Sequence, residues 1–289
     1  MQSAAPQGLE ITLGARDGEL SATFLPSAGM VCCSIRHRGE EILAQRAGLG
    51  DYLARGSTFA LPLLYPWANR LSGWDYRVGD IEVHLDRDDP RIHRDQTLDL
   101  PMHGVLGACR DWRVVDRGPD VLSAELDYGA DARRLAAFPF PHRLALHAAL
   151  SGSTLTLELT VRVTGARAVP VCFGFHPYLN PGGPREDWEI RGPVPGLDGR
   201  LGARSFDEGH RVPAQASFTV TGASRSVALT FEAGYGHVQV FAPTGSDFIA
   251  LEPMTAPKDA LRSGTGLRQI PPGGEFHASF SVAVAGRAR

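Results

Sequence analysis

The chain is 289 residues long, 43% hydrophobic and 21% charged, with a formal net charge of −3. That composition excludes a disordered chain and is rich enough in apolar residues for a large core. The near-neutral balance gives no electrostatic reason to expect nucleic acid or an acidic membrane as a partner. The four cysteines, Cys32, Cys33, Cys109 and Cys172, form no CxxC pair, which speaks against a zinc framework or a small disulfide scaffold and for buried thiols in a reducing compartment. The opening Met1-Gln2-Ser3-Ala4-Ala5-Pro6 lacks a charged segment followed by an apolar run, so no signal peptide is expected. No stretch approaches ~18 uninterrupted apolar residues, so no membrane span is expected either, and the expected location is cytoplasmic.

In chain order, residues 9–14 and 19–25 read as two short strands around the turn Ala15-Arg16-Asp17-Gly18, followed by strands over 30–36 and 41–43. The segment from Ala60 to Arg70, with Pro62 and Pro66, breaks this pattern, because two prolines exclude a central strand or a helix interior. It reads as a loop presenting Trp67, Asn69 and Arg70. A guanidinium with five donors suits a polyhydroxylated ligand, and an aromatic face can pack on the apolar side of a sugar. Residues 74–78 and 81–85 form a hairpin across Gly79-Asp80, and 86–99 is a polar loop. His103-Gly104 follows, a histidine at an irregular corner, whereas His84, His93, His142 and His147 read as surface or packing residues.

From Trp112 the pattern is plainly β, with strands over 112–117, 121–128 and 143–151. In Thr154-Leu155-Thr156-Leu157-Glu158-Leu159-Thr160-Val161-Arg162-Val163-Thr164 apolar and polar residues alternate, which places the four aliphatic positions from Leu155 to Val161, and Val163, on one core face. The next strand, 171–176, ends in His176-Pro177, with Gly174 before it and Phe175 and Tyr178 beside it. The proline biases His176 towards an extended conformation, which points to an imidazole at a strand end against an aromatic wall. Residues 181–203 are a Gly- and Pro-rich excursion of the kind that in compact domains is functional or disordered. Strands resume over 225–232, 237–241 and 248–251. The last runs into Glu252-Pro253, a carboxylate before a proline at a strand end. A closing strand covers 276–284, and the tail from Gly286 to Arg289 is expected to fray. No repeat, linker or helical period interrupts the series. The expected architecture is all-β, a large antiparallel β-sandwich forming one domain over 1–289.

His103, His176 and Glu252 each end an apolar run beside Gly or Pro. Together with Ala68-Asn69-Arg70, Phe206-Asp207 and Val238-Gln239-Val240 they stand in an order that resembles the aldose 1-epimerase (galactose mutarotase) family over about residues 60–260. The resemblance implies a galactose mutarotase-like supersandwich and an isomerase that interconverts the α and β anomers of an aldose, with no cofactor and no metal. In that resemblance His176 is the general acid that protonates the ring oxygen, and Glu252 is the general base that takes the proton of the C1 hydroxyl. Arg70 and His103 hold sugar oxygens, Asp207 and Gln239 contact further hydroxyls, and Asn69 orders the loop. The expected partner is a small-molecule sugar. Three departures qualify the match. The stretch after His103 follows the family pattern only loosely, Asp198 competes with Asp207, and Lys258 is placed to meet an anionic substrate. The last keeps open a hexose-6-phosphate 1-epimerase of the same fold. A non-catalytic carbohydrate-binding module is the second alternative. A metalloenzyme using His103, His176 and Glu252 is the third, weakened by the absence of any compact motif such as HExxH.

Overall fold

The computed structural model describes residues 10–16, 18–95 and 97–286. The expectations for residue 9, for Asp17 in the first turn, for the opening segment and for the tail beyond Gly286 lie outside the described residues.

The architecture is an all-β antiparallel sandwich. Its first layer is a nine-stranded sheet in the spatial order Arg113–Arg117, Val121–Asp127, His142–Ser151, Thr154–Val163, Glu275–Gly286, Arg225–Ala233, Ser217–Thr221, Glu189–Arg191 and Gly199–Arg200. The alternating run makes ten paired positions with His142–Ser151, and Leu155, Leu157, Leu159, Val161 and Val163 are all buried. The second layer runs Phe206–Arg211, His237–Ala242, Ile249–Met254, Gly174–Phe175 and Leu63–Leu64, with Tyr178–Leu179 also paired to Ile249–Met254. The two layers meet through aromatic side chains. Phe175 lies 5.0 Å, centroid to centroid, from Phe280 of the first sheet, and Phe173 packs on Phe276 and Tyr235. A four-stranded sheet built from Ile11–Gly14, Leu20–Leu25, Val31–His37 and Glu40–Glu41 contributes to the same apolar cluster.

The second layer decides where chemistry can occur. Side chains alternate across a strand, so Val238, Val240, Ile249 and Leu251 face the core and are fully buried. Their neighbours face the other way. Cross-strand partners share a face, and the register pairs Gln239 with Glu252, Phe241 with Ala250, Asp207 with Phe241 and Tyr178 with Ala250. One outer face thus gathers Asp207, Gln239, Phe241, Tyr178 and Glu252 from four strands.

Several local expectations are corrected. Among the described residues there are three short α-helices, Gly48–Arg55, Ala132–Ala137 and Ala260–Ser263, each too brief to establish a 3.6-residue period. Glu252 does not end a strand. Ile249–Met254 continues through Pro253, and the site lies where its neighbour is interrupted, between Gly174–Phe175 and Tyr178–Leu179. The polar loop over 86–99 contains a short strand, His93–Arg94, paired with Pro101–Met102. The 181–203 excursion is ordered. Arg185 donates to the carbonyls of Arg204 and Gly202, Trp188 is buried, and two of its strands extend the first sheet.

Candidate active site

The outer face of the second sheet is the floor of a cleft of about 270 Å³. Its walls are the 44–70 and 93–104 segments. Three backbone hydrogen bonds hold these walls in place. Tyr65 O accepts from the N–H groups of Val105 (2.8 Å) and Leu106 (3.2 Å), and His103 N donates to Asn69 O at 3.0 Å. Gly104 lies so close to this segment that a Cβ there would sit 1.9 Å from Tyr65 O. The chain turns back through left-handed conformations at Asn69 (φ 57), His103 (φ 63) and Gly104 (φ 74), which costs a non-glycine residue energy and recurs at functional sites.

Glu252 and His176 form the centre. Their side chains are 2% and 5% exposed, and His176 Nε2 lies 3.2 Å from Glu252 Oε1. The His176 ring stacks on Tyr178 at 4.1 Å and meets His103 edge-on at 5.7 Å. Tyr178 is fixed by a 2.5 Å hydrogen bond to Thr58 Oγ1 and by the Arg46 guanidinium 4.8 Å from its ring centroid. Three buried polar atoms here have no hydrogen-bond partner among the described residues: Glu252 Oε2, His176 Nδ1 and His103 Nδ1. Buried polar groups are almost always satisfied, so three unsatisfied ones in one cleft mark a place built for a polar ligand.

Burial shapes the charge state. Desolvation, reinforced by Asp207, pushes the Glu252 carboxyl well above its ordinary value, and desolvation, reinforced by His103 and Arg46, pushes His176 well below the usual histidine value. Desolvation, with His93 and Arg70 adding to it, lowers His103 to about 3. Such paired, opposite perturbations in a cleft are typical of functional groups. They also set an acid sensitivity. His103 and His142, the latter lowered mainly by burial to about 4, are neutral when folded and charge more readily when unfolded. Their contribution to stability is full above pH 6.5 and is lost as pH falls towards 4 and 3. Urea unfolding midpoints are therefore expected to fall between pH 7 and 4, with a shallower slope in His103→Asn, a residue that tolerates the left-handed backbone.

Of the residues singled out from the sequence, Asn69, Arg70, His103, His176, Asp207 and Glu252 line this cleft. Arg70 donates from Nε to Asp95 and lies 3.7 Å from Asp207 Oδ2, while Asn69 Oδ1 accepts from Arg70 N at 2.8 Å. Gln239 does not line the cleft. It is buried and donates to Asp207 Oδ1 at 2.7 Å. Asp198 lies elsewhere, capping Gly192 N at 2.8 Å. Trp67 is 1% exposed and packs in the core, so no indole face is offered to a ligand there. Arg46, Ser57, Thr58, His93 and Met102 line the cleft as well and carried no sequence signal. His93 lacks the irregular corner setting of His103 and so reads from the sequence as a surface or packing residue; the pairing of His93 with Met102 sets it beside another residue of the cleft wall. No group of three or more His, Cys, Asp or Glu among the described residues is arranged to hold a metal ion. Nor does any helix among them have the length and apolarity to cross a membrane.

The fold has counterparts among solved structures. The Slr1438 protein from Synechocystis sp. PCC 6803 superposes with a TM-score of 0.82 over 99% of both chains at 19% identity. A galactose mutarotase-like protein from Clostridium acetobutylicum does so with a TM-score of 0.76 over 93% of this chain and 94% of its own, at 15% identity. At such identities the likeness speaks for the fold. The uncharacterized protein YphB of Escherichia coli (strain K12) is 29% identical over 120 residues, 40% of this chain, and the matched part spans only 35% of that relative's length. The family model of aldose 1-epimerase matches residues 16–193. That is more than half of the chain's length, and the chain belongs to the aldose 1-epimerase family.

Proposed function

We propose that the protein is an aldose 1-epimerase that opens and recloses a pyranose ring with Glu252 as base and His176 as acid. The observation that carries this reading is the buried His176–Glu252 pair, 3.2 Å apart, with Glu252 Oε2 unpartnered in the cleft. Ring opening needs a proton removed at the C1 hydroxyl and one delivered at the ring oxygen. In the reactive form Glu252 is a carboxylate and His176 an imidazolium. Glu252 takes the hydroxyl proton, the C1–O bond to the ring oxygen breaks, and His176 protonates the departing oxygen. The aldehyde remains, with Glu252 now a carboxylic acid and His176 neutral. Rotation about C1–C2 and reversal of both transfers close the ring on the other face.

The pair carries one dissociable proton before and after opening, so the site keeps zero net charge throughout. Burial favours the neutral partition, as the directions of both shifts indicate, and mutual attraction favours the charged one. Because the two terms oppose each other, the transfer can run in both directions, as an isomerase requires. His103, neutral at working pH by its value of about 3, acts as a hydrogen-bonding partner for a sugar oxygen and not as a cation. Arg70 and Asp207, already 3.7 Å apart, take hydroxyls. Gln239 orients Asp207, and Asn69 holds the turn that aims Arg70.

Polarimetry of freshly dissolved α-D-glucose and α-D-galactose, with and without protein, tests the reading against unaided mutarotation. Acceleration is expected with at least one sugar. A rate equal to the blank for both, and for sugar phosphates and sugar acids as well, would leave a carbohydrate-binding role as the better account.

A further inference from the structure

The cleft contains a cation that the proton transfer does not use. Arg46 stands on the 44–70 wall, and its guanidinium carbon lies 4.8 Å from the ring centroid of Tyr178 and 4.9 Å from that of Phe248. Among the described residues it forms no ion pair and no hydrogen bond. Arg70, the other arginine of the cleft, is by contrast held by Asp95 and Asp207.

Tyr178 is the ring on which His176 stacks, at 4.1 Å and 19°. Its backbone N–H donates to Ala60 O at 2.9 Å, its carbonyl accepts from Ala44 N at 2.8 Å, and its hydroxyl is tied to Thr58 Oγ1. All three partners belong to the segment that carries Arg46. Phe248 meets Tyr178 edge-on at 4.8 Å. Imidazole, phenol and guanidinium are therefore held on one aromatic framework, and the phenol cannot turn away without breaking its bond to the wall.

An aromatic face attracts a cation placed over it. An imidazolium at His176 would draw on the Tyr178 ring, but a guanidinium already engages that ring, and the two positive groups repel each other. Burial holds the phenol well above its ordinary value, so Tyr178 adds no charge. The other ionisable groups around the imidazole are Glu252 at 3.2 Å and His103 at 5.7 Å, with Arg70, Asp207 and His93 lining the rest of the cleft. Desolvation dominates at both members of the pair. Beyond it, His103 and Arg46 lower His176, whereas Arg70 draws Glu252 down against Asp207.

We propose that Arg46 is a positioning residue of the acid: through the Tyr178 ring it keeps His176 from holding its proton permanently against Glu252. An isomerase must pass the proton both ways, and a cation beside the acid weakens the charged form that mutual attraction favours. The consequence for catalysis rests on the anomerase reading of the pair; the effect on the imidazole does not.

Histidine-selective ¹⁵N spectra of the full chain, recorded without sugar across a pH series, read the His176 proton directly, the signal being assigned by its loss in His176→Asn. Arg46→Met keeps an unbranched side chain on the left-handed backbone of this position (φ 46). In it the His176 midpoint should rise by about half a pH unit, the size of an exposed cation–π contact. Arg46→Lys keeps the charge and should restore most of the wild-type midpoint. Thr58→Val frees the Tyr178 hydroxyl without removing a charge and should leave the midpoint in place. The pH profile of kcat/KM for anomer exchange should move upward in Arg46→Met and stay in place in Thr58→Val. An unmoved or lowered His176 midpoint in Arg46→Met, the same rise in Arg46→Lys, or an equal rise in Thr58→Val would overturn the assignment. A midpoint that rises as expected in a protein that does not accelerate mutarotation would count against the catalytic reading and leave the hold of Arg46 on His176 standing.

Discussion

Glu252→Gln is expected to lower kcat for anomer interconversion by about 10²–10⁴-fold, with KM close to the wild-type value. Glutamine keeps the shape and hydrogen bonding of the side chain but cannot accept the C1 proton, so the interaction lost belongs to the transition state and not to ground-state binding. The same change should make the protein more stable. The folded site holds Glu252 well above its ordinary 4.5 because the carboxylate is stripped of water. A group raised on folding contributes stability below its unfolded value and loses it as pH rises through the folded one. At pH 7 the unfolded chain gains from ionising this residue while the folded chain is penalised. A neutral isostere removes that difference, and a gain of about 1–2 kcal/mol is expected, typical of relieving a functional site. The gain should disappear below pH 4.5, where both states are protonated. Activity lost together with stability would instead mark Glu252 as a structural residue.

Gly104→Ala should be among the most damaging single-methyl additions in the chain. The new Cβ would lie 1.9 Å from Tyr65 O, 2.2 Å from Tyr65 C and 2.6 Å from Pro66 N, all backbone atoms that cannot rotate away, at a φ of +74. Overlap and left-handed strain add, and a loss of more than ~4 kcal/mol is expected, the range reserved for such combined mechanisms. Tyr65 O is the acceptor that anchors Val105 and Leu106, so any protein that still folds should carry a displaced His103 and bind sugar weakly. Gly107→Ala, three residues on, is the control. Nothing lies within 4 Å of its Cβ, and a change of a few tenths of a kcal/mol is expected. Thermal unfolding of the two variants side by side separates the local contact from a general intolerance of the loop.

The fold was legible because strand periodicity is a local property. Leu155 to Val163 announce their core face by alternation alone, and the structure pairs that run in full with His142–Ser151. The ordered set of Asn69, Arg70, His103, His176, Asp207 and Glu252 was legible as a resemblance, and these six residues share one cleft. What was hidden depends on contacts distant in sequence. Trp67 resembles a ligand platform in the sequence, yet its side chain packs in the core. Gln239 belongs to the outer face by register, yet its amide is taken by Asp207. Arg46 and His93 lie on segments with no periodicity, and only the closure of the 44–70 and 93–104 walls brings them to the cleft. Gly48–Arg55 has two glycines in eight residues, too poor a helix former to stand out.

The central claim is that His176 and Glu252 act as one proton-transferring unit. Magnetisation exchange between the anomers of an equilibrated sugar measures the turnover rate directly, for wild type, His176→Asn, Glu252→Gln and the double variant. Groups that act together are grossly non-additive, so each single variant should lose about as much as the double, all approaching the unaided rate. Single losses that multiply in the double variant, or either single variant exchanging at the wild-type rate, would contradict the account.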